Sequence, residues 1–154
     1  MDYFESAPVC RSATQRVMAT GAQVFECFGD AEAWPRWAPA ITRVEWTSPR
    51  PFGVGTTRTV HMRGGGVGEE RFIAWEDGKR MAFCFTRTNL PSASFAEDYL
   101  VLDHPDGGVL VTWRMATTST GPGAKIGFLT TPMIGLALKV MLGRFAALVE
   151  ADYT

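Results

Sequence analysis

Charge of either sign is nearly cancelled in this chain, since 15 Lys and Arg residues face 16 Asp and Glu residues for a formal net charge of −1. No run of Lys or Arg occurs, so the electrostatic footprint required to bind a nucleic-acid backbone is missing. Histidine is scarce: His61 and His104 are the only two, neither beside a nucleophile, and no GxSxG sequence supports a hydrolase triad. The glycine runs match neither GxxxxGK[ST] nor GxGxxG after a strand, which removes nucleotide binding; no cofactor is implied. The three cysteines, Cys10, Cys27 and Cys84, are odd in number and far apart. With neither CxxC spacing nor His at metal-site intervals, they read as reduced core thiols, and no metal site is expected. The acidic start, Met1 to Cys10, lacks the basic and then apolar stretches of a secretory signal, so the expected location is cytoplasmic.

What the chain does have is apolar substance. Its 154 residues are 46% hydrophobic and 12% aromatic, enough for one globular domain over residues 1–154, with residues 1–8 as a flexible N-terminal segment. The stretch Ile126 to Val149 carries only Lys139 and Arg144 as charges and is long enough to imitate a membrane span. Pro132 and the two cations argue against insertion. A helix apolar nearly all round is also what a sheet-embraced helix looks like, and no integral membrane association is expected.

The order of elements points to the fold class. After an extended segment (about Arg11 to Ala19), Thr20 with Gln23 three residues on makes a capping box for a short helix through Phe28. Asp30 can cap a second short helix that holds Trp34 and Trp37 and stops at Pro39. Six strand-like segments follow: Thr42 to Thr47, Thr56 to Met62, Glu69 to Glu76, Met81 to Arg87, Phe95 to Asp103 and Val109 to Thr118. Gly53-Val54-Gly55, Gly64-Gly65-Gly66, Asp77-Gly78 and Pro105-Asp106-Gly107-Gly108 supply turn residues at the joins, so the sheet is antiparallel. A long helix, about Pro132 to Ala151, ends the chain. The expectation is an α+β domain in which a curved seven-stranded antiparallel sheet wraps around a long C-terminal helix, with two short helices after the first strand. Seven strands at ~4.8 Å spacing are roughly 30 Å wide, whereas one helix is about 10 to 12 Å across. The space left over is either plugged by the Trp34/Trp37 region or remains a cavity.

Hairpin arithmetic assigns the faces. A three-residue loop after His104 pairs His104 with Gly108, so partners sum to 212. Asp98 then faces Arg114 on the solvent side, while Tyr99 with Trp113, Val101 with Val111 and Glu97 with Met115 lie inside. A four-residue loop would put Asp98 inside and Glu97 outside. A two-residue turn at Asp77-Gly78 pairs Phe72 with Phe83, Ala74 with Met81 and Glu70 with Phe85, leaving Trp75 outside, opposite Arg80, for a cation–ring contact. In Thr56 to Met62 the apolar parity puts Val60 and Met62 inside, carries Arg58 inward near the rim and leaves His61 outward. A carboxylate on an aromatic inner face is desolvated and its pKa rises, which makes Glu97 the candidate acid/base and Tyr99 a candidate donor beside it. Glu70 has a similar claim. The alternative for Glu97 is a place near the sheet edge, where it meets water or a helix N-terminus.

The segment Phe28 to Trp46, with Asp30, Trp34-Pro35-Arg36-Trp37 and Val44-Glu45-Trp46, followed by Gly53-Val54-Gly55-Thr56, resembles the SRPBCC superfamily of START-related helix-grip proteins, specifically its polyketide cyclase/dehydrase-like branch. Glu70-Arg71-Phe72, Trp75, Phe83, Glu97-Asp98-Tyr99 and Thr112-Trp113-Arg114 continue the likeness, from about residue 12 to 150. The resemblance implies a cavity between the sheet and the C-terminal helix, open near the short helices and hairpin loops, for an apolar or aromatic, lipid- or polyketide-like molecule. Expected wall residues are Trp34, Trp37, Arg58, Val60, Met62, Phe72, Phe83, Phe85, Tyr99, Trp113 and Met115, with Met133 and Leu136 from the last helix. Three functions follow: a ligand-binding protein, monomeric or homodimeric; a cyclase or dehydratase in which Glu97 shuttles a proton and Tyr99 polarises a carbonyl; or an interaction or stress-related module with a filled interior.

Overall fold

A computed structural model describes residues 3–7, 9–119 and 127–154. A one-turn helix α1 (Tyr3–Ser6) precedes β1 (Val9–Val17), α2 (Gly21–Gly29) and α3 (Trp34–Trp37). Strands β2 (Ile41–Trp46), β3 (Thr57–Met62), β4 (Val67–Glu76), β5 (Arg80–Thr88), β6 (Ser92–Asp103) and β7 (Val109–Ser119) follow, with a short 3-10 turn at Arg63–Gly65, and α4 (Gly127–Asp152) ends the chain. Of the segment 1–8, residues 1, 2 and 8 lie outside the described residues, as does Ile126.

All pairings are antiparallel in one seven-stranded sheet, ordered β1-β7-β6-β5-β4-β3-β2. Helices α2 and α3 carry the chain from one sheet edge, β1, to the other, β2. At the start of α2 the capping box forms as expected, Thr20 and Gln23 satisfying each other's backbone N–H groups. Asp30 takes a different part: its carboxylate accepts from Glu32 N at 2.9 Å in the turn before α3, whose own cap is Ala33. Pro132, expected near the start of the last helix, stands inside it.

The β6–β7 hairpin has the three-residue loop. His104 N donates to Gly108 O, and Glu97↔Met115, Asp98↔Arg114, Tyr99↔Trp113 and Val101↔Val111 are all partners. Asp98 lies on the outer face, yet its two arginines, Arg114 and Arg80, cover it so fully that it is buried rather than solvated. The β4–β5 hairpin departs from expectation. The loop has three residues, Asp77 to Lys79, rather than the expected two, so Glu76 faces Arg80, Trp75 faces Met81 and Ala74 faces Ala82; a register shift between Phe72 and Ala74 then restores the expected Phe72↔Phe83 and Glu70↔Phe85 pairs. One extra residue there, Ile73, makes a bulge and reverses the parity beyond it. Trp75 therefore turns inward, 5.5 Å from Phe25, 5.6 Å from Phe52 and 5.1 Å from Phe72 between ring centroids, and Ile73 faces out. The expected Trp75–Arg80 contact is not made; Arg80 pairs with Asp98.

The concave face is closed by α4 together with α2 and α3. Phe145 stacks on Phe28 at 4.7 Å and meets Trp37 at 5.1 Å, and Phe28 in turn touches Tyr99 on the sheet. Trp34 and Trp37 are fully buried and fill much of the space beside the narrow helix, but not all of it. Of α4, the stretch Pro132–Asp152 is long and apolar enough to cross a bilayer by length and composition, and a third of its apolar window is buried. Its buried stripe runs through Leu138, Leu142, Phe145 and Val149, spaced four, three and four. Met133 (71% exposed) and Leu136 (66% exposed) lie on the opposite side, not on the cavity wall as expected. At 100° per residue they fall some 140° and 200° from Leu138, a phase that a helix apolar all round does not disclose. Phe145→Ala should accordingly cost about 3–5 kcal/mol, and Leu136→Ala no more than about 0.5 kcal/mol, in urea unfolding of the two variants.

Candidate functional site

The β3–β4 turn fixes the first two site residues. Met62 N donates to Gly66 O across the glycine turn, so partners sum to 128, and Arg58 on β3 lies opposite Glu70 on β4, both facing inward. Arg58 Nε donates to Glu70 Oε2 at 2.5 Å, and both side chains are almost wholly buried. The guanidinium carbon sits 4.0 Å from the Trp34 ring centre, 4.6 Å from Phe83, 5.3 Å from Phe72 and 5.4 Å from Trp46. Ring faces are negative, so this cage takes over part of the lost hydration. Arg58 is thus enclosed at 1% exposure rather than placed at the rim.

From β6, Glu97 reaches the same space next to Phe83, and Tyr99 donates its hydroxyl hydrogen to Glu97 Oε2 at 2.8 Å. The Trp113 indole N–H lies toward that carboxyl without closing a hydrogen bond. Burial first, then the nearby Glu70 charge, push the Glu97 carboxyl up to about 8, against the smaller opposing pulls of Tyr99, Arg58 and Trp113. Burial also raises Glu70, opposed by its Arg58 partner, and raises the Tyr99 phenol well above its usual range, with Glu97 adding to the effect. One guanidinium and two carboxyls in a dry space leave one carboxyl without a counter-charge, and Glu97 keeps its proton.

These groups line a cavity of about 150 Å³ between the sheet, α3 and α4. Trp34, Trp37, Arg58, Val60, Met62, Phe83, Phe85, Tyr99, Trp113 and Met115 line it, together with Glu97 and with Glu70. Phe72, expected among them, stands behind the wall against Phe83 and the Arg58 guanidinium. On the helix side the lining residues are Leu138 and Met141 in place of Met133 and Leu136. Gly68 faces inward on β4, and a Cβ there would come within 2.7 Å of Phe85, so the missing side chain is what lets that ring lie across the strand. Past the Cys84↔Ala96 pair, Phe85 and Phe95 stack at 4.4 Å at the cavity's half-buried end. Two larger concavities are open grooves on the surface, one of them beside the Asp77–Lys79 turn; of the buried charges, Arg58, Glu70 and Glu97 line the small cavity and Asp98 lies on the outer face.

Sequence reasoning placed Arg58, Glu70 and Glu97 inside but missed that the first two are partners. The turn sum of 128 carried that information, because the Gly64-Gly65-Gly66 run marks the loop. Elsewhere, His61 faces outward and meets Glu45 at 3.1 Å, and burial pushes the Cys27 thiol up to about 12, so that it stays unionised. Among the described residues, no group of three or more His, Cys, Asp or Glu is arranged to hold a metal ion.

Residues 9–150 match the family model described as polyketide cyclase / dehydrase and lipid transport. A Mycobacterium tuberculosis protein described as uncharacterised is 44% identical over 154 residues, covering 99% of this chain and 92% of its own. Among solved structures, a protein of Thermus thermophilus superposes with a TM-score of 0.76 at 16% identity, over 94% of this chain and 99% of that one. A START superfamily protein from Mycobacterium smegmatis gives 0.69 at 14% identity, over 94% and 96%. The chain belongs to the polyketide cyclase/dehydrase and lipid transport family and has its SRPBCC, helix-grip fold.

The raised Glu97 carboxyl has a pH consequence. It ionises near 4.5 when unfolded and near 8 when folded; between those values the folded state holds the extra proton, so stability falls as pH rises. Its contribution is complete below pH 4.5 and lost through about pH 8. In urea titrations across this window Glu97→Gln should give the flatter stability profile and the more stable protein at pH 8; parallel profiles would place the titration elsewhere.

Proposed function

We propose that this protein binds a hydrophobic or aromatic small molecule, lipid- or polyketide-like in the broad range its family covers, in the cavity between sheet and α4. Apolar burial against the aromatic walls supplies affinity, and Arg58 with Glu97 orients polar atoms. The observation that carries this reading is the unpartnered Nη1 of Arg58, an N–H group buried at the cavity with no hydrogen-bond acceptor in reach. A filled interior has no use for such a group, because an unsatisfied buried donor costs about 1–3 kcal/mol. A bound acceptor recovers that cost. The reading includes a cytoplasmic protein, monomer or homodimer, working without a cofactor.

Thermal unfolding against a panel of fatty acids, flavonoids, aromatic polyketides and single-ring aromatics tests it. A ligand at about 100-fold over its Kd stabilises by about 2.7 kcal/mol, which raises the midpoint by roughly 5–10 °C for a chain of this size. A flat response to the whole panel, with nothing co-purifying by mass spectrometry of the denatured protein, would refute the proposal.

A second reading is favoured by one feature, a carboxyl that is still protonated at neutral pH and faces the cavity: Glu97 would act as an acid/base in a cyclisation or dehydration. Tyr99 cannot then be the group that polarises a carbonyl, since its hydrogen is given to Glu97; Arg58 Nη1 is the free donor. Glu97→Gln should bind the ligand and lose turnover, and a ligand that stays chemically unchanged over hours with the wild type would leave binding alone.

A further inference from the structure

Volume, donor content and charge balance act together on what this cavity accepts. A space of about 150 Å³ matches the roughly 150 Å³ of an engineered apolar cavity that takes up benzene, whereas drug-sized ligands occupy about 300–1,000 Å³. A fatty acyl chain or a fused polycycle exceeds the cavity volume, and the inner walls Trp34, Trp37 and Phe83 are all at most 1% exposed. The walls are flat: Tyr99 and Trp113 stack on each other at 5.3 Å with 17° between their planes, and Trp37 meets Trp113 edge-on at 5.8 Å. Such surfaces suit one more ring.

The unsatisfied groups around the cavity are all donors. Arg58 Nη1, Trp37 Nε1 and Trp113 Nε1 are buried and without partners, in contrast to Trp34, whose N–H reaches Phe28 O at 2.9 Å. One oxygen of each carboxyl is already engaged, Glu70 Oε2 by Arg58 and Glu97 Oε2 by Tyr99. A ligand therefore completes the site by bringing an acceptor. Charge decides which kind. Arg58 and Glu70 cancel, and Glu97 keeps its proton at neutral pH. A carboxylate ligand would enter as an uncompensated anion beside two carboxyl groups, whereas a neutral oxygen brings no such penalty.

Resting on the ligand-binding reading above, we infer that the cavity takes a neutral compound of one aromatic ring bearing a carbonyl oxygen, which accepts from Arg58 Nη1 while the ring lies among Trp37, Tyr99 and Trp113.

Calorimetric titration of the wild-type protein at pH 7 separates the parts of this assignment. Acetophenone is the probe; α-methylstyrene has its shape with a CH2 group in place of the oxygen, benzoate adds the charge, and palmitate and anthraquinone add length and fused rings. Acetophenone should bind at least tenfold more tightly than α-methylstyrene and than benzoate, with no measurable binding of palmitate or anthraquinone. In 15N-labelled protein, acetophenone should also shift the Arg58 guanidinium N–H resonances, which α-methylstyrene should leave in place. The double variant Arg58→Met/Glu70→Leu removes the donor without stranding a charge and should bind the two compounds equally. If that variant does not fold, the wild-type comparison decides alone. Equal affinity of the wild type for acetophenone and α-methylstyrene would overturn the carbonyl assignment, and a preference for benzoate would overturn neutrality. Binding of palmitate or anthraquinone without acetophenone would overturn the ring-size assignment while leaving the ligand-binding reading intact; absence of binding across every class tested would remove both.

Discussion

Placing a guanidinium on the inner face of a sheet, among indole and phenyl rings, strips it of water, and everything around Arg58 answers that cost. Glu70, directly across the strand pair, neutralises it through one short hydrogen bond. Four aromatic rings offer their negative faces to the rest of the group. Because the pair is balanced by one carboxylate, a second acid in the same dry space finds no counter-charge, and Glu97 retains its proton at a pH where an exposed glutamate would have lost it. The Glu70 pairing and the unpartnered Nη1 trace to that one buried cation, while burial and the Glu70 charge raise Glu97.

The second constraint is a mismatch of widths. A sheet of seven strands is far broader than a single helix, so α4 grips only part of the concave face, mainly through Leu138, Leu142, Phe145 and Val149. Helices α2 and α3 supply the remainder as aromatic bulk, with Phe28, Trp34 and Trp37 joining α4 to Tyr99 and Trp113. What escapes filling is a small cavity instead of a large one. The family hosts both carriers and enzymes, and shared architecture does not choose between them; the choice rests on what Arg58 and Glu97 do within it.

Much of this arrangement was legible in the sequence, and the legible parts share a cause. Where a turn has a recognisable form, as at Pro105-Asp106-Gly107, strand register follows by counting, and with it the inward direction of Glu97, Tyr99 and Trp113. Where register is altered inside a strand, counting fails. The Asp77-Gly78 turn reads as two residues but has three, and the bulge at Ile73 that offsets the extra residue leaves no mark in residue type, so counting puts Trp75 on the wrong face. The rotational phase of α4 was likewise hidden, because Met133 and Leu136 are as apolar as Leu138 and Met141, and a uniform helix names no inner side.

By themselves, the residues determined the order of elements, the antiparallel pairing and the inward parity of Arg58, Glu70 and Glu97, since these depend on turn chemistry and on alternation between neighbours. Tertiary structure alone decided that Arg58 and Glu70 meet while Glu97 stays unpaired, and how far two indoles could fill the gap beside α4. Those outcomes depend on distances between side chains from separate strands and helices, and local pattern contains no such distances.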